Sequence, residues 1–456
     1  ISGIYQPSGQ PIDQSALQKI TALMSHRGPD ACGHFFDKHI GLGHQRLAIV
    51  DLSDAGRQPM VSDDSQVALV YNGEIYNYKT LRSELKNDGY QFKSNCDTEV
   101  ILHGYCKWGV DILNKLVGMF AFAIWDGAKK ELVLARDHYG MKPLYFYQDE
   151  RQLAFASELG PLLSLNNIDK SLDPHAFLDY FSYRYTLAPL TFFNNIKRIP
   201  AGHYLHIKNQ SGELKRYSSI NYSQDPEAKN VLDYQNELDR TFHAAVKDQL
   251  MGDVPIGVTL SGGIDSSSIA YYVHKNGGRL KTYNIGFPEV NEFAYSRAIA
   301  KQFDLEHVEL TTTIEELESI FDDVANALDD PIADPACLPL YRLCQEMKND
   351  VTVILSGEGG DELFAGYPWH PLSANTNLNR DQIFENFYAY SSNYFDGTRY
   401  LANKQIPQTQ YRYKPVYDNE TEPLNGMLNC EMHTWMPENL LMKADKILMA
   451  HSLEGR

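Results

Sequence analysis

The chain has 456 residues, which is too long for one hydrophobic core and predicts roughly two or three domains. Its net charge of -18 argues against a nucleic acid or an acidic membrane as partner, because binding to polyanions depends on basic patches. The longest apolar run, residues 119–125, is too short to span a bilayer. The six cysteines form no CxxC pair and no zinc-site spacing, which is typical of reduced thiols in the cytoplasm.

Residues 1–165 predict sheets packed against helices. Apolar residues recur at helical spacing over residues 15–24 and 98–108. Between and after these helices lie short strand-like runs, at 41–44, 67–71, 120–125, 132–135 and 144–147. Residues 166–235 show a weaker pattern with many polar turns, which we interpret as a linker region packed on the first domain.

From residue 236 to residue 456, helices alternate with buried strand runs at 254–260, 281–287 and 351–355. This alternation predicts an α/β domain with a doubly wound parallel sheet. In such a sheet, ligands bind at the carboxyl ends of the strands.

The stretch Ser-Gly-Gly-Ile-Asp-Ser-Ser at 261–267 lies between a predicted strand and a predicted helix. Strand, glycine-rich turn and helix together point backbone N–H groups and a helix N-terminus at one anion. No lysine follows the glycines, which excludes the ATPase loop whose lysine reaches the β- and γ-phosphates. The order of residues resembles the pyrophosphate loop of the ATP pyrophosphatases, and the alternative is an ordinary Gly-Gly turn with a serine cap.

A second glycine-rich stretch, residues 355–362, also follows a predicted buried strand. It holds three carboxylates, which would repel one another in a purely structural turn. Mg²⁺ prefers carboxylate and phosphate oxygens, so we expect Asp265 and Asp361 to hold Mg²⁺ together with ATP. The alternative for this segment is a solvated acidic loop.

In this order and spacing, the two glycine-rich stretches resemble the synthetase domain of glutamine-dependent asparagine synthetases. The resemblance implies that ATP adenylates the side-chain carboxylate of aspartate and that ammonia then displaces AMP. It assigns Ile285 to the adenine site and Glu358, a catalytic residue, to the reacting carboxylate. The residues that it assigns to ATP are Ser261, Gly262, Gly263, Asp265, Ser266, Ile285, Ser356 and Gly357.

Residues 1–165 resemble the class II glutaminase domain over nearly their whole length, which implies an αββα sandwich of the Ntn-hydrolase type. The matching segments are residues 26–30, 44–51, 71–77, 96–99 and 136–140. The resemblance assigns Arg46 to the α-carboxylate of glutamine, and Glu74 and Asp97 to its α-ammonium group. Asn72 and Gly73 would form the oxyanion hole. The residues assigned to glutamine are Arg46, Ile49, Val50, Asn72, Gly73, Glu74 and Asp97.

The nucleophile of this family is an N-terminal cysteine, and the sequence begins Ile1-Ser2-Gly3. Ser2 aligns too late to replace it. We therefore expect a Cys-Gly pair ahead of Ile1 in the full protein. The alternative is a natural loss of glutaminase activity, which would leave an ammonia-dependent enzyme.

The family also continues past the residues that match 442–456, and its adenylation lysine lies further on. Lys443 and Lys446 are candidates for substrate contact, and the alternative is that both are lysines on a helix surface.

Three functions therefore remain open. The first is asparagine synthesis from glutamine, ATP and aspartate. The second is the same chemistry on another carboxylate, such as a uronic acid or a peptide side chain. The third is a non-catalytic glutamine-binding protein, against which Asp265 and Asp361 both argue. We expect small-molecule substrates, no nucleic acid or membrane partner and a cytoplasmic location, with a homodimer as a possible form of association.

Overall fold

The protein is represented by a computed structural model that describes residues 1–166, 168–208, 211–220, 222, 230–278, 280–375, 377–392 and 414–456. The first block of elements builds two antiparallel sheets with helices outside them. Its strands are β1 (Ser2–Tyr5), β2 (Ala31–Phe36), β3 (Ile40–Arg46), β4 (Met60–Val61), β5 (Val67–Ile75), β6 (Gly118–Asp126), β7 (Glu131–Arg136), β8 (Tyr145–Gln148), β9 (Leu153–Ala156), β10 (Ile196–Arg198), β11 (His203–Lys208) and β12 (Ser211–Arg216). Its helices are α1 (Gln14–Ala22), α2 (Tyr78–Asn87), α3 (Thr98–Trp108), α4 (Leu159–Leu163) and α5 (Pro174–Tyr183).

The two sheets pack face to face, with strand orders β10-β8-β9-β1-β3-β2 and β12-β11-β7-β6-β5-β4. The apolar run at 119–125 explains the layering, because successive side chains of a strand point to opposite faces. In β6, Ala121, Ala123 and Trp125 face the core between the sheets, whereas Phe120 and Phe122 pack toward α2 and α3. Helices α1 and α4 cover the other outer face. The predicted αββα sandwich is confirmed.

The second block of elements is a parallel sheet with helices on its faces. Its strands are β13 (Ile256–Thr259), β14 (Lys281–Gly286), β15 (His307–Thr311), β16 (Val353–Leu355) and β17 (Glu454–Gly455). Its helices are α6 (Val231–Gln249), α7 (Ile264–Lys275), α8 (Phe293–Gln302), α9 (Ile314–Ser319), α10 (Phe321–Leu328), α11 (Cys337–Met347), α12 (Gly360–Phe364), α13 (Arg380–Ser392), α14 (Lys414–Asp418), α15 (Pro423–His433) and α16 (Leu441–Met449). A turn of π-helix, Met436–Leu440, leads into α16.

The strand order of the parallel sheet is β15-β14-β13-β16-β17. The chain winds from β13 toward β15 on one side and from β16 toward β17 on the other, so the winding reverses between β13 and β16. Ligands of open α/β sheets bind at such a point, outside the carboxyl ends of the strands. Both glycine-rich stretches follow these two strands, and the predicted doubly wound sheet is confirmed.

Part of the predicted linker, residues 166–235, contributes to the first domain's sheets. Strand β10 pairs with β8, β11 pairs with β7, and β12 pairs with β11. Their strand-like patterns are short and interrupted by polar turns, and only the pairing partners at the sheet edges show where they belong. Residues 167, 209–210, 221 and 223–229 of this region lie outside the described residues.

Buried charges join the two domains at α16. Arg27 donates to Asp445 from Nη2 at 2.7 Å and to Glu158 from Nη1 at 3.1 Å, and Lys142 Nζ lies 3.2 Å from Asp445 Oδ1. All these side chains are less than a tenth exposed. Removing one of these partners would leave a buried charge uncompensated and cost about 3–5 kcal/mol, so the docking of α16 on the first domain is sensitive to each of these side chains. Among the described residues, no helix is long and apolar enough to cross a membrane.

Candidate active sites

A pocket with a cavity volume of about 70 Å³ lies in the first domain, where the ends of β3 and β5 meet the start of α3. The sheets bring together segments that are far apart in the sequence. The seven residues that the sequence assigns to glutamine all line this pocket; they are Arg46, Ile49, Val50, Asn72, Gly73, Glu74 and Asp97.

Arg46 provides a buried positive charge at one side of this pocket. It is only 7% exposed, and its guanidinium donates to the carbonyl of Ser53 at 2.8 Å and to that of Asp51 at 2.5 Å. A Cβ on Gly56 would lie 2.3 Å from Arg46 Nη2, so a larger residue there would displace the guanidinium. These contacts fix Arg46, and no carboxylate in the described part of the chain forms an ion pair with it, which suits the binding of a ligand carboxylate.

Asn72 supplies an unused hydrogen-bond donor, and the backbone of Gly73 lies next to it. The Nδ2 atom of Asn72 is buried and has no partner among the described residues. Gly73 has a φ of +147°, and a Cβ there would lie 2.0 Å from the carbonyl oxygen of Met119. Buried donors without partners are rare in native structures, because each costs about 1–3 kcal/mol. The Nδ2 group of Asn72 is therefore a donor that is free to bond to a ligand in this pocket.

Two buried carboxylates face the same pocket. Asp97 Oδ2 accepts hydrogen bonds from the Tyr71 hydroxyl at 2.7 Å and from the backbone N–H of Ile75 at 2.8 Å. Burial raises the pKa of Asp97 to about 6 in spite of these bonds. Burial, and then the Asp97 and Glu454 carboxylates, raise the pKa of Glu74 well above its usual range. Within the described residues, Glu74 Oε2 has no hydrogen-bond partner. A cationic ligand group would stabilise both ionised carboxylates.

The second domain also contributes to this pocket, which the sequence did not reveal. Met449 at the end of α16 and Glu454 of β17 both line it. The side chain of Arg456 lies behind Glu74, with Nη2 3.4 Å from Glu74 Oε1. No local pattern signals these contacts, because they exist only when the two domains are docked. The sequence analysis also assigned no role to Tyr71, although this residue lies within a matched segment.

A larger cavity of about 460 Å³ opens at the carboxyl ends of β13 and β16. Eight of the predicted synthetase residues line it; they are Ser261, Asp265, Ser266, Ile285, Ser356, Gly357, Glu358 and Asp361. Gly262 and Gly263 belong to the loop but do not form the cavity wall. Gly262 instead has a φ of +90°, and its Cβ would meet Tyr295 at 2.6 Å.

Hydrogen bonds within the first glycine-rich loop hold its donors in a fixed arrangement. Ser261 Oγ lies 3.0 Å from Ser266 Oγ and accepts from the backbone N–H of Gly263 at 3.2 Å. Gly263 is the N-cap of α7 and has no side chain to close the end of the helix. The first N–H groups of α7 are therefore open toward an anion, with the helix dipole favouring negative charge.

The second glycine-rich loop packs directly on Asp265. A Cβ on Gly360 would lie 2.5 Å from the Asp265 carboxylate, and a Cβ on Gly357 would lie 2.9 Å from Asp265 Cβ. Burial, and then the charge of Asp361, raise the pKa of Asp265. Two carboxylates that repel one another beside an anion-binding loop are a donor set that Mg²⁺ fits, with phosphate oxygens and water as its other ligands.

Lys443 and Lys446 are buried, so the alternative that they are helix-surface lysines is wrong. Lys443 is 4% exposed, and its Nζ lies 3.2 Å from Asp334 Oδ2 and 3.4 Å from Glu358 Oε1. Lys446 is 1% exposed and forms an ion pair with Asp329. Only Lys443 reaches a residue that lines the larger cavity. Helix α16 looks like a surface helix in sequence because it carries Lys443, Asp445 and Lys446, whose charges are paired with other side chains and not exposed to solvent.

Comparisons with known proteins identify the families of the two domains. Residues 1–218 match the glutamine amidotransferase domain family, and residues 237–456 match the asparagine synthase family. The glutamine-hydrolysing asparagine synthetase 1 of Bacillus subtilis (strain 168) is 34% identical, and the alignment covers 99% of this chain and 77% of that protein. Asparagine synthetase B of Escherichia coli (strain K12), also named glutamine-hydrolysing, is 34% identical over 82% of this chain and 66% of its own length. A putative glutamine-hydrolysing asparagine synthetase of Mycobacterium tuberculosis (strain ATCC 25618 / H37Rv) is 32% identical over 97% of this chain and 76% of its own length.

The fold and the two cavities define a class of protein in which a glutamine amidotransferase domain and an ATP-using synthetase domain share one chain. The smaller cavity lies mainly in the first domain and the larger one in the second, and α16 contacts both of them. Together with the relatives above, this shows that the chain belongs to the glutamine-hydrolysing asparagine synthetase family.

Proposed function

We propose that this protein makes asparagine from aspartate, with glutamine as the source of ammonia and ATP as the source of activation. The observation that carries the proposal is the presence in one chain of two different cavities. One has buried charges of both signs, and the other has two glycine-rich loops and paired carboxylates. The first suits a zwitterionic amino acid, and the second suits a nucleotide with a cation.

In the first domain, Arg46 would bind the α-carboxylate of glutamine, and Glu74 and Asp97 its α-ammonium group. Asn72 Nδ2 and the N–H of Gly73 would donate to the oxyanion that develops when the side-chain amide is attacked. Ile1 lines the same pocket, where the family uses an N-terminal cysteine as its nucleophile. Its thiol would attack the amide carbon and expel ammonia, and water would then release glutamate.

In the second domain, a carboxylate oxygen of aspartate would attack the α-phosphorus of ATP. The bond between this phosphorus and the bridging oxygen would break, which releases pyrophosphate and leaves an acyl adenylate. Ammonia would then attack the carbonyl carbon and expel AMP. The lysine-free loop at Ser261 and the N-terminus of α7 would hold the pyrophosphate, and Ile285 would line the adenine site. Glu358, 3.4 Å from Lys443 Nζ, would lie beside the reacting carboxylate.

We propose that Asp265 and Asp361 hold Mg²⁺ with ATP. Bound there, the ion would neutralise the phosphate charge that otherwise repels an attacking carboxylate. The raised pKa of Asp265, caused by burial and by Asp361, supports this pairing. The six cysteines are free thiols, in keeping with our proposal that the protein works in the cytoplasm on small molecules.

The test is to supply the full protein with glutamine, MgATP and a panel of acids that contains aspartate, glutamate, a uronic acid and a peptide. We expect asparagine, AMP and pyrophosphate in equal amounts, identified by mass spectrometry. ADP and phosphate as products would contradict the ATP pyrophosphatase assignment. Formation of an amide of another acid would contradict aspartate as the acceptor but would not contradict the proposed type of reaction.

A further inference from the structure

The main chain of Arg456 belongs to the synthetase domain. Its N–H donates to the carbonyl of Ile354 in β16 at 2.8 Å, and its carbonyl accepts from the N–H of Ser356 at 3.0 Å. Ser356 begins the second glycine-rich loop. The backbone of Arg456 is therefore attached to the wall of the larger cavity, which we call the ATP cavity after its proposed ligand.

The side chain of Arg456 extends the other way, toward the glutamine pocket. It is completely buried, and its Nη2 lies 3.4 Å from Glu74 Oε1 in the first domain. Its Nε donates to Glu454 Oε1 at 3.0 Å, and its Nη1 donates to the carbonyl of Gln249 at 2.6 Å and also to that of Met251. These bonds fix the guanidinium from three directions, so it presents a rigid positive charge to Glu74.

Glu74 needs such a partner, because it is 3% exposed and has other carboxylates around it. Asp97 and Glu454 both disfavour its ionised form, whereas Arg456 and Lys142 favour it. A neutral carboxylic acid would bind an ammonium group weakly, since most of the attraction comes from the charge. In the described part of the chain, Glu74 Oε2 and Arg456 Nη2 have no hydrogen-bond partner, so one oxygen of Glu74 is left for a ligand.

We propose that Arg456 is a positioning residue of the glutamine pocket, supplied by the synthetase domain, which holds the Glu74 carboxylate in place for the α-ammonium group of glutamine. This inference rests on the proposed function of the first domain. It means that the glutamine pocket is complete only when the two domains are docked.

The test compares Arg456→Met with Arg456→Lys in the full protein. Removing the charge should raise KM for glutamine about tenfold or more, because a buried carboxylate loses its partner. Lysine should restore part of this loss, and kcat with saturating glutamine should change far less than KM. Synthesis with added ammonia should stay within about twofold of wild type, because ammonia does not use the pocket. If Arg456→Met does not fold, Arg456→Gln removes the same charge and keeps a donor for the buried carbonyls.

The matched control is Arg297→Met, which removes an arginine from an ion pair with Glu309 that is 63% exposed on the arginine side. Exposed pairs contribute little, so its KM for glutamine should equal that of wild type. A double-mutant cycle adds a readout that general damage would not move: in a Glu74→Gln background, Arg456→Met should cause little further rise in KM.

An unchanged KM for glutamine in both charge-removing variants would overturn the proposal, as would an equal loss of ammonia-dependent and glutamine-dependent synthesis. A wild-type protein that hydrolyses glutamine but forms no asparagine would contradict the proposed function only. In that case, the KM values for glutamine would be compared by measuring the release of glutamate.

Discussion

The glutamine pocket and the ATP cavity handle charge in opposite ways. Arg46, Glu74 and Asp97 are each less than a tenth exposed, and the pocket of about 70 Å³ encloses them. The cavity of about 460 Å³ is more open, and the side chain of Glu358 there is 32% exposed. The small pocket therefore carries fixed charges of both signs, whereas the large cavity is lined by two glycine-rich loops and by carboxylates.

This difference indicates which kind of ligand each site can bind. Buried, fixed charges are costly to build, and they suit a ligand whose own charges have one invariant geometry, as in an α-amino acid. A nucleotide carries several negative charges, so a cation that arrives with it neutralises them at less cost to the fold. Three predictions test this contrast between the two sites.

The largest effect is expected from Asp265→Asn in the ATP cavity. It should lower synthesis more than roughly a thousandfold with either glutamine or ammonia, because charge that develops in the transition state loses its stabilisation. Glutamine hydrolysis should continue. Asp239→Asn, at a solvent-exposed pair with Lys275 in the same domain, is the control. Synthesis near the wild-type rate would remove Asp265 from the proposed metal ligands.

A smaller effect is expected from Asp97→Ala in the glutamine pocket, with Arg46→Ala as its counterpart of opposite charge. Each should weaken glutamine-dependent synthesis by about 2–4 kcal/mol, because a charged group of the substrate loses its buried partner. Synthesis from ammonia should be spared. Asp64→Ala, at an exposed turn of the same domain, should change neither rate. Equal loss with both nitrogen donors would show that the fold, not the pocket, is damaged.

The smallest effect concerns pH and separates the two sites without a mutation. Because burial raises the pKa of Asp97 to about 6, this carboxylate takes up a proton as the pH falls through 6 and loses its attraction for an ammonium group. The raised pKa of Glu74 acts in the same direction. We expect kcat/KM for glutamine hydrolysis to fall about tenfold per pH unit below this point. A profile that is flat from pH 7 to pH 5 would show that neither carboxylate binds the ammonium group.

Local sequence patterns predicted much of the fold, because they depend on short-range physical rules. The helix predicted over 98–108 matches α3, and the runs at 254–260 and 281–287 contain β13 and β14. The weak runs at β10, β11 and β12 were treated as part of a linker, because short edge strands have little periodicity of their own. Their place was decided by pairing with β8 and β7.

The two sites also divide into features that the sequence predicts and features that only the tertiary structure decides. The two glycine-rich loops and the Arg46, Asn72 and Asp97 segments are readable in the sequence, because each is a short stretch that carries its own backbone geometry and donors. The burial of Lys443 and the contact of Arg456 with Glu74 are not readable there. They arise from the docking of two domains, which brings together residues that are remote in the chain. As a result, a side chain of the second domain contributes its charge to the pocket of the first domain.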